Sequence, residues 1–170
     1  VASTPKIRMQ RVALPPSSST STSAPSTSTT AAPDVSASLT PAPLLWPVRG
    51  QVTSEYAERA GRLHAGLDIS APEGTPIVAA RAGRVGFVGR QNGYGNIVII
   101  NHGERLSTAY PHQSAFATRV GALVNAGDLI GYVGCTGNCT GPHLHFETRV
   151  NGVAQNPRRF LPSRLVTSTG

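Results

Sequence analysis

From Gln51 onward the chain is written in short apolar runs separated by small or polar residues. PIVAARAGRVGFVGR, GNIVIINHG and DLIGYVG are rich in β-branched and aliphatic side chains, and Gly83, Gly93, Gly95, Gly103 and Gly127 punctuate them. Such runs predict strands. No stretch of 12 or more residues sustains helical periodicity. The strands recur at roughly ten-residue spacing, which predicts an all-β domain built as a compact antiparallel sheet or sandwich. In RQNGYGN, the Asn92-Gly93 pair predicts a hairpin turn.

The pattern is different before residue 43. PPSSSTSTSAPSTSTTAAP is nearly all Ser, Thr, Ala and Pro, and such a segment buries too little apolar surface to offset its ordering entropy. Residues 1–42 are therefore expected to be a disordered Ser/Thr/Pro/Ala-rich linker, and residues 43–165 the folded domain. Leu44, Leu45 and Trp46 are placed to begin that domain by packing on it.

Charge narrows the range of partners. The net charge is +7 and Lys6 is the single lysine among 15 basic residues. A basic surface attracts polyanions, but no helix-turn-helix, zinc-finger or aromatic RNA-binding pattern is present, so no nucleic-acid partner is expected. Anionic cell-wall polymers and membranes would also attract this chain. No run approaches 18 apolar residues, which excludes a hydrophobic transmembrane helix. No signal peptide is seen, and the chain opens on Val1, which leaves open whether a signal or anchor preceded it.

The candidate chemistry lies in the histidines. In HLHFE, Leu144 and Phe146 alternate with polar positions, so His143 and His145 are expected on one face of a strand, with Cα atoms roughly 6.6 Å apart. Either both bind one metal, or one binds while the other faces a substrate. In RLHAGLDIS, His64 and Asp68 are four apart. In a straight strand they would stand about 13 Å apart, so a shared metal requires a bend, which Gly66 permits.

Taken together these blocks resemble the lysostaphin-like (LytM-type) family of zinc endopeptidases, which hydrolyse peptide bonds in bacterial peptidoglycan. The resemblance runs from about Trp46 to Pro162. It comprises HAGLDIS, APEGTPIVAARAGRV, GYGNIVIINHG, the Tyr-x-His of AYPHQS, AGDLIGYVG and TGNCTGPHLHFE, in that order. It implies one zinc ion held by His64, Asp68 and His145, with a fourth position left for water. It further implies that His112 and His143 are catalytic residues and not ligands, acting on the water and the tetrahedral intermediate. In some relatives the ligands are lost and the domain only binds wall or activates amidases. Here all five positions are intact. One departure is AYPHQS, where the family more often has Ala and Leu around this histidine; Pro111 beside His112 is expected to change the local loop. His102 has no catalytic counterpart and is expected to serve a turn or packing role.

Cys135 and Cys139 lie just before the His-x-His, where family members commonly carry small residues. A thiolate ligand would close the zinc site, so a disulfide is expected, with free thiols as the alternative. The combined expectation is a monomeric peptidoglycan endopeptidase of the envelope, periplasm or exterior. Its partners would be stem peptides or cross-bridges and anionic wall polymers.

Overall fold

The computed structural model describes residues 43–163. The expected linker at 1–42, and Arg164 and Leu165 of the expected domain, lie outside the described residues. Among the described residues thirteen strands follow in order: β1 Gln51–Ser54, β2 Ala57–Arg59, β3 Arg62–His64, β4 Leu67–Ser70, β5 Pro76–Val78, β6 Gly83–Gln91, β7 Gly95–Asn101, β8 Leu106–Tyr110, β9 Ala115–Phe116, β10 Leu123–Val124, β11 Leu129–Tyr132, β12 His143–Val150 and β13 Val153–Gln155. Among the described residues the helical content is a three-residue 3-10 turn, Pro157–Arg159, with Asn156 accepting from the Arg158 amide at its start.

The pairings are antiparallel, as the sequence predicts. An eight-stranded sheet runs β1-β4-β12-β8-β7-β6-β10 with β13 also on β12, and β5-β11-β9 and β2-β3 form smaller sheets. Strand β12 is the hinge of the main sheet. Its first half pairs with β4, and its second half pairs with β8 and β13.

One face of β4 and β12 supplies the core. Leu67, Ile69, Leu144 and Phe146 are all fully buried, and each contributes about 1.5–3 kcal/mol of burial. Tyr110 packs on Phe146 with ring centroids 5.5 Å apart, and its hydroxyl accepts from the Ala80 amide. By strand alternation, Asp68, His143, His145 and Glu147 take the opposite face. Leu44 is buried in the core and Trp46 donates to the Pro162 carbonyl at 3.0 Å, so these two pack on the domain, whereas the Leu45 side chain is exposed. His102 bridges the Ala82 carbonyl and the Thr108 hydroxyl, a turn and packing role.

The β6–β7 hairpin is present but its loop is Asn92, Gly93 and Tyr94, one residue longer than the Asn92-Gly93 pair alone predicts. Gly93 and the strand's first residue, Gly95, both have positive φ. The extra residue, Tyr94, uses its carbonyl to accept the His112 amide at 2.9 Å.

Candidate metal centre and catalytic site

The register of β12 on β4 sets His145 directly opposite Asp68. His64 closes β3, and the chain turns through Ala65 and Gly66 before β4 begins. Gly66 is not among the positive-φ glycines. Its requirement is space, because a Cβ there would overlap the Phe146 carbonyl oxygen and crowd His145. The bend expected at this glycine thus depends on close approach to β12 more than on left-handed backbone.

The result is a tight cluster. The ligand atoms offered by His64, Asp68 and His145 lie within 4.8 Å of one another. Asp68 Oδ1 is 2.7 Å from His145 Nδ1 and 3.1 Å from His64 Nε2, and those two nitrogens are 3.2 Å apart. Outer partners fix the tautomers. His64 Nδ1 donates to the Glu55 carbonyl at 2.7 Å, an oxygen that also accepts from Arg59. His145 Nε2 donates to Glu147 Oε1 at 3.1 Å. The remaining ring nitrogens therefore face Asp68 as acceptors, and three acceptors this close require a positive charge among them.

The electrostatics agree. Burial by itself would raise Asp68, but the His145 hydrogen bond and the surrounding imidazoles hold it down at about 2. Burial by itself would lower His145, but Asp68 and Glu147 push it up to about 9. A proton on Nδ1 is one way to supply the charge. A divalent cation is the other, and two imidazoles with one carboxylate suit zinc, with a position left open. The residues present thus fit a zinc ion.

His112 and His143 border the same cleft, with ring centroids 4.8 Å apart. Each donates from Nδ1 to a backbone carbonyl, His112 to Thr136 at 2.7 Å and His143 to Gly141 at 2.8 Å. Each Nε2 is therefore an acceptor, and that of His143 lies 3.8 Å from Asp68. Burial pushes the His112 pKa down, against the upward pull of its Thr136 hydrogen bond. Next to Pro111, His112 has φ of 63°, a left-handed conformation that costs a non-glycine residue about 1–3 kcal/mol and is concentrated at functional sites.

The sequence reading assigned no role to Glu147, Arg149 or Tyr94. Glu147 is 1% exposed and receives Arg149 Nε at 2.7 Å, while Arg149 reaches the Tyr94 hydroxyl at 3.4 Å. Burial would raise the Glu147 pKa, but His145 and Arg149 hold it below the ordinary carboxylate range. The period-two pattern that placed His143 and His145 on one face also places Glu147 and Arg149 there.

Cys135 and Cys139 are joined in a disulfide across four positions. The bridged loop carries Thr136, whose hydroxyl and carbonyl bond Gln113 and His112. Gly137 has φ of 78°, and a Cβ there would overlap the Gly95 backbone. Replacing both cysteines by serine should lower unfolding free energy by about 2 kcal/mol, the chain-entropy value for so small a loop, with zinc content unchanged. Chemical denaturation beside metal analysis checks this; loss of zinc would place a thiolate in the metal shell.

His64, from the β2–β3 ribbon, meets Asp68 and His145 of the central sheet on one open cleft of an all-β domain, an arrangement found in metallopeptidases. The chain belongs to peptidase family M23, whose model matches residues 62–157. Over 96 residues it is 51% identical to the DD-carboxypeptidase/endopeptidase Mpg of Neisseria meningitidis, covering 56% of this chain and 22% of that protein. It is 38% identical over 120 residues to the murein hydrolase activator NlpD of Escherichia coli, covering 70% of this chain and 31% of that protein. The chain thus spans less than a third of either relative. The catalytic domain of lysostaphin from Staphylococcus simulans superposes with a TM-score of 0.60 at 36% identity, over 67% of this chain and 91% of that domain. The lysostaphin-like resemblance read from the sequence is the M23 family.

Proposed function

We propose that the chain is a zinc-dependent endopeptidase that cuts peptide bonds in bacterial peptidoglycan. The observation that carries this reading is the convergence of His64, Asp68 and His145 beside two further histidines whose Nε2 atoms are acceptors on the same cleft. Bound zinc would be held by His64 Nε2, Asp68 Oδ1 and His145 Nδ1, and would supply a Lewis acid and a water acidic enough to ionise near neutral pH. His112, kept neutral by burial, takes a proton from the attacking water and returns it to the leaving amine. His143, when Nε2 carries a proton taken from solvent, donates a hydrogen bond to the oxyanion of the tetrahedral intermediate and keeps that proton. The Thr136 and Gly141 carbonyls orient the two rings.

The catalytic domain spans 43–165, and the chain works in the envelope or outside the cell as a monomer. The location follows from the wall-directed names of the relatives. The likeness to NlpD favours a second reading, activation of a separate murein hydrolase. Digestion of purified peptidoglycan decides between them. The first reading expects zinc-restored, chelator-sensitive release of fragments with new amino termini, identified by mass spectrometry. No fragments from the zinc-loaded chain, together with stimulation of an added amidase, would establish the second.

Glu147 is proposed to hold His145 for the metal. Loss of such an outer partner typically costs about 10–100-fold in metal affinity. Glu147→Gln should therefore release zinc to a competing chelator dye more readily by that factor while remaining folded by circular dichroism. Unchanged affinity would limit Glu147 to pairing with Arg149.

A further inference from the structure

We infer that the β2–β3 hairpin forms an anion subsite on the rim of the cleft, taking a carboxylate carried by the bound peptide. The inference rests on the proposed peptidase function and specifies its substrate class: an acidic peptide in preference to a neutral one such as a glycine bridge.

Arg59 and Arg62 are direct cross-strand partners, at either end of the Ala60-Gly61 turn. Both turn residues have positive φ, Ala60 at 46° and Gly61 at 75°, which is the tight primed turn that brings the flanking pair together. Like charges placed directly opposite are destabilising, so this pair calls for a counter-charge. Among the described residues the protein provides none. The arginine ion pairs run Arg81–Glu104, Arg149–Glu147 and Arg158–Glu55. Arg59 donates instead to neutral oxygens, the Ser54 hydroxyl and the Glu55 carbonyl, and its guanidinium stands 3.0 Å from His64 Nδ1. Arg62 is exposed. Glu58, the nearest acid along the hairpin, faces Leu63 across the ladder and so lies on the other face.

Both arginines line the cleft that holds the histidine cluster, a space of about 500 Å³. The cleft's own carboxylates are engaged. Asp68 is bound to two imidazoles, and Glu147 to His145 and Arg149. The cleft's remaining lining includes neutral polar groups, Asn92, Asn138 and Thr140. A peptide in this cleft therefore meets uncompensated positive charge at the hairpin and none of the opposite sign. Arginine's fork of donors matches a carboxylate in shape as well as charge.

The test uses the full chain loaded with zinc and two probes of equal size. One is a cross-linked stem-peptide dimer released from peptidoglycan by amidase, with its free carboxylates. The other is the same dimer after its carboxylates are converted to carboxamides. Calorimetry should show the acid form binding about tenfold more tightly, the worth of one charge-assisted hydrogen bond. Arg62→Gln should abolish that discrimination by weakening the acid form alone, and Arg62→Glu should reverse it, with zinc content unchanged in both. Equal binding of the two probes by the unaltered chain, binding of neither, or full discrimination in Arg62→Gln would each overturn the subsite. Tight, selective binding of the acid form without hydrolysis would leave the subsite standing and remove the peptidase reading instead.

Discussion

Asp68→Ala should strip the protein of zinc and of wall hydrolysis together. Asp68 is the one anionic candidate ligand, and it sits between the other two, 2.7 Å from His145 and 3.1 Å from His64. Removing it leaves two neutral imidazoles and nothing to balance a dication in a half-buried site. The loss in affinity should exceed the roughly 10–100-fold typical of an outer partner. The fold should survive, because Asp68 lies on the cleft side of β4 while Leu67 and Ile69 keep the core face. Metal analysis after dialysis against a weak chelator, beside a thermal melt, checks both halves. A folded variant that retains a full equivalent of zinc would remove Asp68 from the metal shell.

The second large effect separates chemistry from metal binding. His112→Ala and His143→Ala should each keep zinc, yet lose on the order of 10² to 10³-fold in hydrolysis rate. The two rings are anchored through backbone carbonyls, and neither belongs to the three-residue cluster. For His112, replacement by glycine should cost less stability than replacement by alanine, because glycine relieves the positive φ while both lose the bond to Thr136. Rate measurements on solubilised wall, paired with metal content, give the answer. Turnover near that of the unaltered chain in either variant would withdraw the role from that histidine.

Much of this was legible in the sequence, and the part that was not has physical reasons. The long strands β6 and β7 are legible as β-branched and aliphatic runs, and β12 by its alternation. The two-residue strands β9 and β10 hold too few positions for any period to show. That His143 and His145 share a face follows from spacing. That His145 stands across from Asp68 does not, because the register joins segments 77 residues apart. Glu147 and Arg149 obey the same period-two rule, but alternation alone does not separate an acid and a base that support a site from a solvated charged pair. The carbonyls of Glu55, Thr136 and Gly141 fix three imidazole tautomers, and no sequence reveals them, since every residue has a carbonyl. The Arg59–Arg62 pairing depends on an Ala-Gly turn, a weaker signal than Asn-Gly.

The hairpin that ends at His64 has a consequence for how long the cluster stays assembled. Strands β2 and β3 form a two-stranded sheet of their own with largely exposed side chains, whereas Asp68 and His145 belong to the central sheet. Isolated two-stranded ribbons are marginal in water, and local opening draws on the least protected segments first. The cluster therefore spans two levels of protection against amide exchange. Fraying of this one short ribbon, and not the far rarer global unfolding, would then limit how long the cluster stays whole, and an ion held there would exchange through that same small opening, which carries Arg59 and Arg62.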